Sequence, residues 1–170
     1  MHVEFLNSGR RRMLQIDDAR LIWPNFAGRG DRFNPQGSRD FSVIIPNDEI
    51  ADALINDVNQ YGVGWNVKIK PPREEGDEPF RFLKVKLSYR NRGPKIYLIT
   101  NGRKNELDES SVHILDDIVI ESVNLDIRAF DGDDSPQGAF RSAWLEAMEV
   151  HQKIDRFAAR YAEEEEDEVF

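Results

Sequence analysis

A central segment, residues 65–104, constrains this chain more than any other part of the sequence. It carries eleven Lys and Arg against four Asp and Glu, a balance of +7 inside a protein of net charge -9. In its FRFLKVKLSYR run the side chains alternate with a period of two, which is typical of a β-strand with one buried and one exposed face. The expected exposed face carries Phe80, Phe82, Lys84, Lys86, Ser88 and Arg90, and the expected core face carries Arg81, Leu83, Val85, Leu87 and Tyr89.

The KIYLIT run that follows repeats this pattern. One face carries Lys95, Tyr97 and Ile99, the other carries Ile96, Leu98 and Thr100, and NGRK then predicts a turn with two more cations. Such a surface suits single-stranded nucleic acid, because cations neutralise phosphates and each exposed ring stacks a base for about 1–3 kcal/mol. The alternative is an ordinary soluble sheet, whose lysine-rich face discourages edge-to-edge pairing.

The candidate contacts form two groups, cations for phosphates and rings for bases. The predicted phosphate contacts are Arg29, Arg32, Arg39, Lys68, Lys70, Arg81, Lys84, Lys86, Arg90, Arg92, Lys95, Arg103 and Lys104. The predicted stacking residues are Phe33, Trp65, Phe80, Phe82, Tyr89 and Tyr97. Some of these rings must belong to the core. Tyr89 shares the core face by alternation, so Phe80 and Phe82 are the better stacking candidates.

Composition limits the class of protein. A chain of 170 residues with 39% hydrophobic content suits one folded domain with a real core. It has no cysteine, which excludes disulfides, thiolate metal sites and a cysteine nucleophile. No apolar run reaches the ~20 residues of a membrane span, and the N-terminus lacks a signal-peptide pattern, so we expect a soluble intracellular protein. The acids concentrate towards the end, where residues 163–168 read EEEEDE.

The remaining sequence predicts mostly strands. Residues 1–13 form an arm or edge strand ending in three arginines, and residues 14–23 form a strand with a bulge or bend at Asp17 and Asp18. Residues 24–40 form a long loop in which Phe26 or Phe33 is equally suited to plugging the core. FSVIIP is a strand, followed by a helix that Asn47 or Asp48 caps and Gly62 ends.

A long strand and its hairpin partner complete the predicted sheet. DIVIESVNLDIRAF predicts the long strand, and DGDDSPQG a turn. AFRSAWLEAMEVHQ favours a helix by composition, but its alternation and its place after a turn favour a closing strand. KIDRFAARYAEEEE then predicts a short helix that leads into the acidic tail.

With these elements in order, the chain resembles the OB-fold single-stranded DNA-binding proteins of bacteriophages. The resemblance rests on LQIDDARLIWPNF, EIADALINDVNQYG, ILDDIVIESVNLDIRAFD, FRSAWLEAMEVHQKIDRFAARYA and EEEEDEVF. It implies a mainly β fold, a partly open five-stranded Greek-key barrel with one or two helices over residues 1–162. It also implies sequence-independent DNA binding in phage replication or recombination, in the cytoplasm of the infected cell, without a cofactor or metal. The helix between the second and third strands and the loop at residues 24–40 depart from the usual pattern.

The resemblance assigns a role to the tail, residues 163–170. It implies a segment that competes with DNA for the basic surface and docks on replication or recombination proteins when DNA is bound. A tethered run of acids has a high local concentration near cations, which makes such competition physically reasonable. The residues concerned are Glu163, Glu164, Glu165, Glu166, Asp167, Glu168 and Phe170. Plain solubility is the alternative role.

Other functions remain open from the sequence. His2, His113 and His151 lack metal-ligand spacing, and no phosphate-binding loop of the Walker type is present, so we expect no enzyme. A nuclease would have to draw its metal ligands from Asp116, Asp117, Glu121 and Asp126, which alternate between strand faces. An accessory or virion-associated protein that binds other proteins is the second alternative. A homodimer through an edge strand is also compatible with the sequence.

Overall fold

The computed structural model describes residues 1–8, 11–154, 157 and 160. Residues 1–8 and 11–154 contain ten strands, one α-helix and one 3-10 helix. The strands are β1 (His2–Ser8), β2 (Arg11–Ala19), β3 (Leu21–Asn25), β4 (Arg39–Ile45), β5 (Val67–Lys70), β6 (Phe80–Leu87), β7 (Lys95–Thr100), β8 (Arg103–Leu107), β9 (Ile120–Ser135) and β10 (Gly138–Gln152). The helix α1 spans Asp48–Asn56, and the 3-10 helix spans Val112–Asp116.

Five strand units close into a barrel. β2 and β3 are separated by Arg20 alone and act as one bent strand, which pairs with β9 through its first half and with β4 through its second. β4 pairs antiparallel with β6, β6 touches β10 in parallel, and β10 pairs antiparallel with β9. This order is that of a Greek-key OB barrel, with one parallel contact between its third and fifth strands. The predicted mainly β fold is confirmed.

The other strands extend this barrel. β1 is an edge strand on β2, β5 lies beside the first half of β6, and β7 pairs with the second half of β10 and with β8. The predicted bulge in the first barrel strand is present: the β2–β9 register shifts between Ile16 and Ala19, and Asp18 has a φ of 54°. In the described residues no helix is long and apolar enough to cross a membrane.

The core lies inside the barrel and is formed by the inward faces of its strands. The predicted alternation in β6 is confirmed from Leu83 to Leu87, where Leu83, Val85 and Leu87 are buried while Lys84 and Lys86 are exposed, but Phe82, predicted on the exposed face, is buried. Each fully buried aliphatic side chain stabilises the fold by about 1.5–3 kcal/mol. Other barrel strands contribute Leu14, Ile16, Val43, Ile127, Leu145 and Val150.

The helix α1 begins where the sequence predicted and ends earlier. The side chain of Asn47 accepts the N–H of Ile50 at 2.9 Å, which is an ordinary N-cap. The helix ends at Asn56, six residues before the predicted Gly62, because the chain turns back and the N–H of Trp65 donates to the Leu54 carbonyl. Gly64 permits this return, since a Cβ there would lie 1.9 Å from the carbonyl oxygen of Ile55.

The long loop is anchored at its start. Phe26 is buried and stacks on Phe41 with ring centroids 5.3 Å apart. Of the two candidates, Phe26 and Phe33, it is therefore Phe26 that packs into the core. The carboxylate of Asp116 accepts the N–H groups of Phe26 and Ala27 at 2.8 and 2.9 Å. Phe33 is instead 85% exposed.

The end of the chain differs from the sequence prediction at one turn. Residues 138–152 are a strand, as expected, but β9 continues through DGDDS to Ser135, so the turn is shorter than the predicted DGDDSPQG. The predicted C-terminal helix falls largely outside the described residues. Of its residues, the structure describes only 153, 154, 157 and 160. The predicted acidic tail lies wholly outside them.

Candidate nucleic-acid interface

Three aromatic rings lie together on the outer face of the barrel. The Trp23 ring meets Phe80 edge-on at 5.6 Å and Phe82 at 5.1 Å, and the two phenylalanines lie 5.6 Å apart. The amine of Lys70 lies 5.1 Å from the centre of the Trp23 ring and 5.7 Å from that of Phe82. Trp23 is 50% exposed, whereas Phe82 is buried, so the tryptophan is the ring presented to solvent.

The backbone of β3 explains why Trp23 points outward. Leu21 pairs with Val43 on the core side and Ile22 pairs with Ser42 on the outer side. Simple alternation would turn Trp23 inward again. The register shifts between Ile22 and Asn25, and Trp23 has a φ of 53°, so a bulge re-aims its side chain.

A second tryptophan lies between two cations further along the same face. Trp144 of β10 is paired directly with Lys86 of β6 on one side and with Arg128 of β9 on the other. The Lys86 amine lies 5.9 Å and the Arg128 guanidinium 5.8 Å from the centre of its ring. The ring and the two charges therefore form a short row across three strands, within the range of cation–π attraction.

Beyond Arg128 the surface deepens into a groove of about 530 Å³, which we call the arginine groove. Four arginines line it, two from strands and two from the loop between β6 and β7, together with Glu146. Its lining residues are Arg12, Met13, Arg90, Asn91, Arg92, Arg128, Ala129 and Glu146.

We call the outer-face row that leads to this groove the outer stripe, and define it as Trp23, Lys68, Lys70, Phe80, Phe82, Lys84, Lys86, Trp144 and Arg128. Lys84 lies 3.7 Å from the carboxylate of Asp40. In the part of the chain that the structure describes, no carboxylate lies within ion-pair distance of Lys68, Lys70 or Lys86. The outer stripe thus combines the exposed Trp23 ring and the half-buried Phe80 and Trp144 rings with uncompensated positive charge on its lysines.

A family model described as "Putative phage ssDNA-binding domain" matches residues 7–168 of the sequence. The chain belongs to this family. Membership in a family of single-stranded DNA-binding domains confirms the expected class of function and the expectation of a binding protein instead of an enzyme. No curated protein matches the sequence.

Solved structures of the single-stranded DNA-binding protein from bacteriophage Enc34 are similar to this domain. The C-terminal truncation of that protein has a TM-score of 0.52 at 13% identity, covering 90% of this chain and 96% of that one. The protein without that truncation gives 0.51 at 14% identity, with 91% and 92% covered, and its complex with ssDNA gives 0.50 at 12%, with 88% and 94% covered. At these identities the likeness establishes the shared fold.

The β7–β8 hairpin of the domain carries the second set of predicted contacts. Tyr97 is half-buried and is paired directly with Glu149 of β10 and with Glu106 of β8. The Lys104 amine lies 4.2 Å from the centre of the Tyr97 ring and 3.7 Å from the Glu149 carboxylate. The other two predicted cations, Lys95 and Arg103, are exposed. This hairpin is therefore flanked by acids.

Three predicted contacts of the domain are buried, and the structure corrects them: Phe82, which is 8% exposed and packs against Trp23, and also Arg81 and Trp65. Arg81 is 5% exposed, and its Nε donates to the Asp48 carboxylate at 2.7 Å, so this arginine ties β6 to the start of α1. Trp65 is 2% exposed, and its Nε1 donates to Asp57 at 2.9 Å. Neither Arg81 nor Trp65 is placed to reach a DNA strand, because both side chains are buried and donate to aspartates.

Tyr89 and Arg39 form a half-buried pair. The Arg39 guanidinium lies 5.2 Å from the centre of the Tyr89 ring and also donates to the Phe26 carbonyl at 2.6 Å. Burial raises the pKa of the Tyr89 hydroxyl, the charge of Arg39 acts in the opposite direction, and Glu109 and Asp108 raise the pKa further. Arg39 thus fixes the end of the long loop, and Tyr89 is part of that packing, as its place on the core face predicted.

The remaining predicted contacts of the domain are exposed. Arg29, Arg32 and Phe33 lie on the long loop, with the Arg32 guanidinium 5.7 Å from the centre of the Phe33 ring. Arg90 and Arg92 line the arginine groove. Sequence reasoning did not select four residues of the candidate interface, which are Trp23, Trp144, Arg12 and Arg128. Trp23 counted as an apolar position of the first strand and Trp144 as one member of a strand face. The arginine triplet that includes Arg12 was only weak evidence for phosphate contact, and Arg128 had no assigned role.

A network of arginines and aspartates stabilises one end of the barrel. Arg141 is buried, donates to the Asp131 carboxylate at 2.8 Å and to the Asp57 carbonyl at 2.6 Å, and lies 4.9 Å from the centre of the Trp65 ring. Burial alone would raise the pKa of Asp131, but hydrogen bonds from Arg141 and Asn59 and the charges of Arg141 and Arg12 outweigh it and lower that pKa. These aspartates serve the fold.

The acids that a nuclease would need are dispersed. Asp116 is committed to the backbone of the long loop, and Asp126 lies on the outer face opposite Gln15 and Ala147. Burial raises the pKa of Asp126, as do the charges of Asp17 and Glu146. Among the described residues no group of three His, Asp or Glu is arranged to hold a metal ion.

Proposed function

We propose that this domain binds single-stranded DNA along the outer stripe, with bases stacked on Trp23 and Trp144 and phosphates held by the lysines between them and by the arginine groove. The observation that carries the proposal is the row of Lys86, Trp144 and Arg128, which places a ring between two cations. A nucleic acid strand presents the same chemistry in complement, a flat base between charged phosphates.

The stripe has the dimensions of a single-strand binding site. It crosses the barrel from β3 over β4, β6 and β10 to β9, four strand spacings of ~4.8 Å or about 19 Å. The arginine groove lengthens this path. A path of this length agrees with the low end of the ~4–16 nucleotides that one OB fold covers.

The long loop supplies a second wall to the proposed site. Its two ends, Asn25 and Asp40, are paired with each other, and Asp40 is paired with Lys86 of the outer stripe. The loop therefore leaves the barrel beside the Lys86–Trp144 contact. Arg29, Arg32 and Phe33 are exposed on it and are suited to closing over a bound strand.

The chemistry of the site predicts binding without marked base preference. Stacking on tryptophan accepts every base, and lysine and arginine contacts to phosphates carry no sequence information. A phage protein of this kind would cover exposed single strands during replication and recombination in the infected cell. This role is supported by the family to which the domain belongs.

The acidic tail is the proposed regulator and docking element of the domain. Its six consecutive acids are tethered to a domain whose outer stripe holds uncompensated lysines, so competition with phosphates is favoured by local concentration. Phe170 adds an apolar side chain for replication or recombination partners. The competing role predicts tighter DNA binding after the tail is removed.

Fluorescence anisotropy with a labelled strand of about 30 nucleotides, long enough for several OB-fold sites, tests the proposal. The strand and its matching duplex are titrated at two salt concentrations, with the intact chain and with a chain truncated after Ala162. Preference for the single strand that weakens with salt, and tighter binding after truncation, are expected. Absence of binding by both forms would contradict the proposed surface and favour an accessory role in protein contacts.

A further inference from the structure

Glu146 has an unusual position for an acid in a DNA-binding surface. It lies on β10 at a register shift between Leu145 and Ala147, and it forms part of the floor of the arginine groove. Its carboxylate oxygens point at two different arginines. Oε1 lies 2.8 Å from Nη2 of Arg92, and Oε2 lies 3.5 Å from Nε of Arg128.

These contacts match those that a DNA phosphate would make. A phosphate, like a carboxylate, presents two or more anionic oxygens to guanidinium groups, and arginine binds both anions through charge-assisted hydrogen bonds. The Arg92 side chain is 82% exposed and comes from the loop between β6 and β7, so the carboxylate is what holds it over β10. Arg128 is also one of the two cations at the Trp144 ring.

We infer that Glu146 is a built-in stand-in for a phosphate, which occupies the arginine groove in the free protein and has to give up Arg92 and Arg128 when DNA binds. The inference rests on the proposed function of the groove. It makes Glu146 an internal competitor that weakens DNA binding and reduces its dependence on salt. This competitor belongs to the folded barrel and acts whether or not the acidic tail is present.

The reduced salt dependence follows from the number of counterions that DNA binding releases. An arginine that is already neutralised by a carboxylate releases few counterions from its surroundings when a phosphate replaces that carboxylate. With Glu146 in place, two of the four arginines of the groove contribute little to the salt dependence. Removing the charge of Glu146 leaves both arginines without this carboxylate partner, so both release counterions when DNA binds. The same change removes the repulsion between the carboxylate and the incoming phosphate.

Glu146→Gln is the variant that tests this inference, because it keeps the shape of the side chain and removes its charge. Anisotropy titrations over a range of salt concentrations should show binding about three- to tenfold tighter at low salt. The slope of log K against log salt should become steeper by about 0.7 to 1.4, which corresponds to one or two further phosphate contacts on a single strand.

Glu121→Gln is the matched control. It changes the net charge equally and lies on β9 in the same sheet, seven residues from Arg128, which is about 23 Å along the strand. We expect it to alter affinity less than about twofold, because surface charges beyond a Debye length are screened. Equal gains for both variants would show an effect of net charge alone and would overturn the inference.

The outcomes separate the inference from the proposed function. If Arg128→Gln weakens binding while Glu146→Gln leaves affinity and salt slope unchanged, the groove binds DNA and the competitor role is wrong. If Glu146→Gln weakens binding, the carboxylate positions the arginines, and the inference is again overturned. If neither Arg128→Gln nor Trp144→Ala changes affinity in variants that unfold at the temperature of the parent protein, the proposed DNA surface itself is wrong.

Discussion

Two parts of this domain look alike in the sequence and differ in the structure. The outer face of β6 and the β7–β8 hairpin both alternate cations with aromatics on exposed strands. Around β6 the neighbouring strands add Trp23, Lys70 and Trp144, and Asp40 is the one carboxylate at its lysines within the described residues. In the hairpin Tyr97 is paired with Glu106 of β8 itself, and the neighbouring strand β10 adds Glu149.

The difference shows that the charge of a strand face depends on the strands beside it. A lysine next to a tryptophan on the adjacent strand forms a surface for a base and a phosphate. A lysine next to a glutamate forms a local ion pair, worth ~0–1 kcal/mol, that has to be broken before DNA can use it. Under the proposed function, DNA therefore follows the outer stripe, and the β7–β8 hairpin lies outside its principal path.

The largest difference in DNA affinity should appear when one ring is removed from each region in turn. Trp23→Ala removes the exposed ring of the aromatic cluster and should weaken binding of a single strand about 10- to 100-fold, since a stacked base contributes about 1–3 kcal/mol. Tyr97→Ala should change affinity less than about twofold, because Lys104 and Glu149 already cover that ring. Anisotropy titrations measure both, and thermal unfolding checks that each variant is folded. A greater loss from Tyr97→Ala would reverse the assignment.

A second pair of variants compares the cations. Lys70→Gln with Lys86→Gln should weaken binding about five- to twentyfold at low salt and make the salt slope shallower by about 1.4, which is two phosphate contacts on a single strand. Lys95→Gln with Lys104→Gln changes the net charge equally and serves as the control. We expect the control to retain most of the affinity and nearly the full slope. Equal losses in the two double variants would indicate attraction by net charge instead of a defined path.

A smaller effect should come from removing the acid that compensates the hairpin. Glu149→Gln takes away the partner of Lys104 and lowers the negative charge beside Tyr97. Binding should tighten up to about threefold at low salt, because an exposed ion pair contributes at most ~1 kcal/mol. Titration of this variant in the Tyr97→Ala background shows whether the gain requires the ring. A loss of affinity would contradict the view that Glu149 keeps DNA away.

The smallest effect concerns the acids at the border of the stripe. Burial and the charges of Asp17 and Glu146 raise the pKa of Asp126, so the ionised carboxylate destabilises the folded state. The free energy of unfolding therefore increases as the pH falls through the folded-state pKa of Asp126 towards the unfolded-state value of ~4. Asp126→Asn should raise the free energy of unfolding at pH 7 by less than about 1 kcal/mol, since the side chain is only partly buried and solvent screens its charge. Urea unfolding should show this difference shrinking as the pH is lowered towards ~4. A stability difference that grows on acidification would contradict a raised pKa of Asp126.

The sequence predicted what depends on local alternation. The two faces of β6 from Leu83 to Leu87 follow from LKVKL, and the N-cap at Asn47 follows from the apolar spacing after it. It did not predict Trp23, because a bulge with a positive φ reverses the face on which that side chain lies. A pattern of period two carries no signal for such a reversal.

For Arg81 and Trp144 the side chain lies on the face that alternation predicts, and the sequence prediction failed because it could not identify the partners of that side chain. Arg81 lies on the core face, as its position in the alternation required, and it is satisfied there by Asp48, which is 33 residues away in the chain. Trp144 lies on the outer face, as alternation also required, but its role depends on Lys86 and Arg128, which only strand pairing brings beside it. Partners across strands are set by register, and the sequence of one strand does not contain that information.

Photocrosslinking tests the central claim most directly. A single strand carrying 5-iodouridine at successive positions is bound to the domain, irradiated, and mapped by mass spectrometry to the crosslinked residues. If DNA follows the outer stripe, the crosslinks will fall on Trp23, Phe80 and Trp144. Crosslinks concentrated on Tyr97, with none on either tryptophan, would show that the strand runs over the β7–β8 hairpin and would contradict the account.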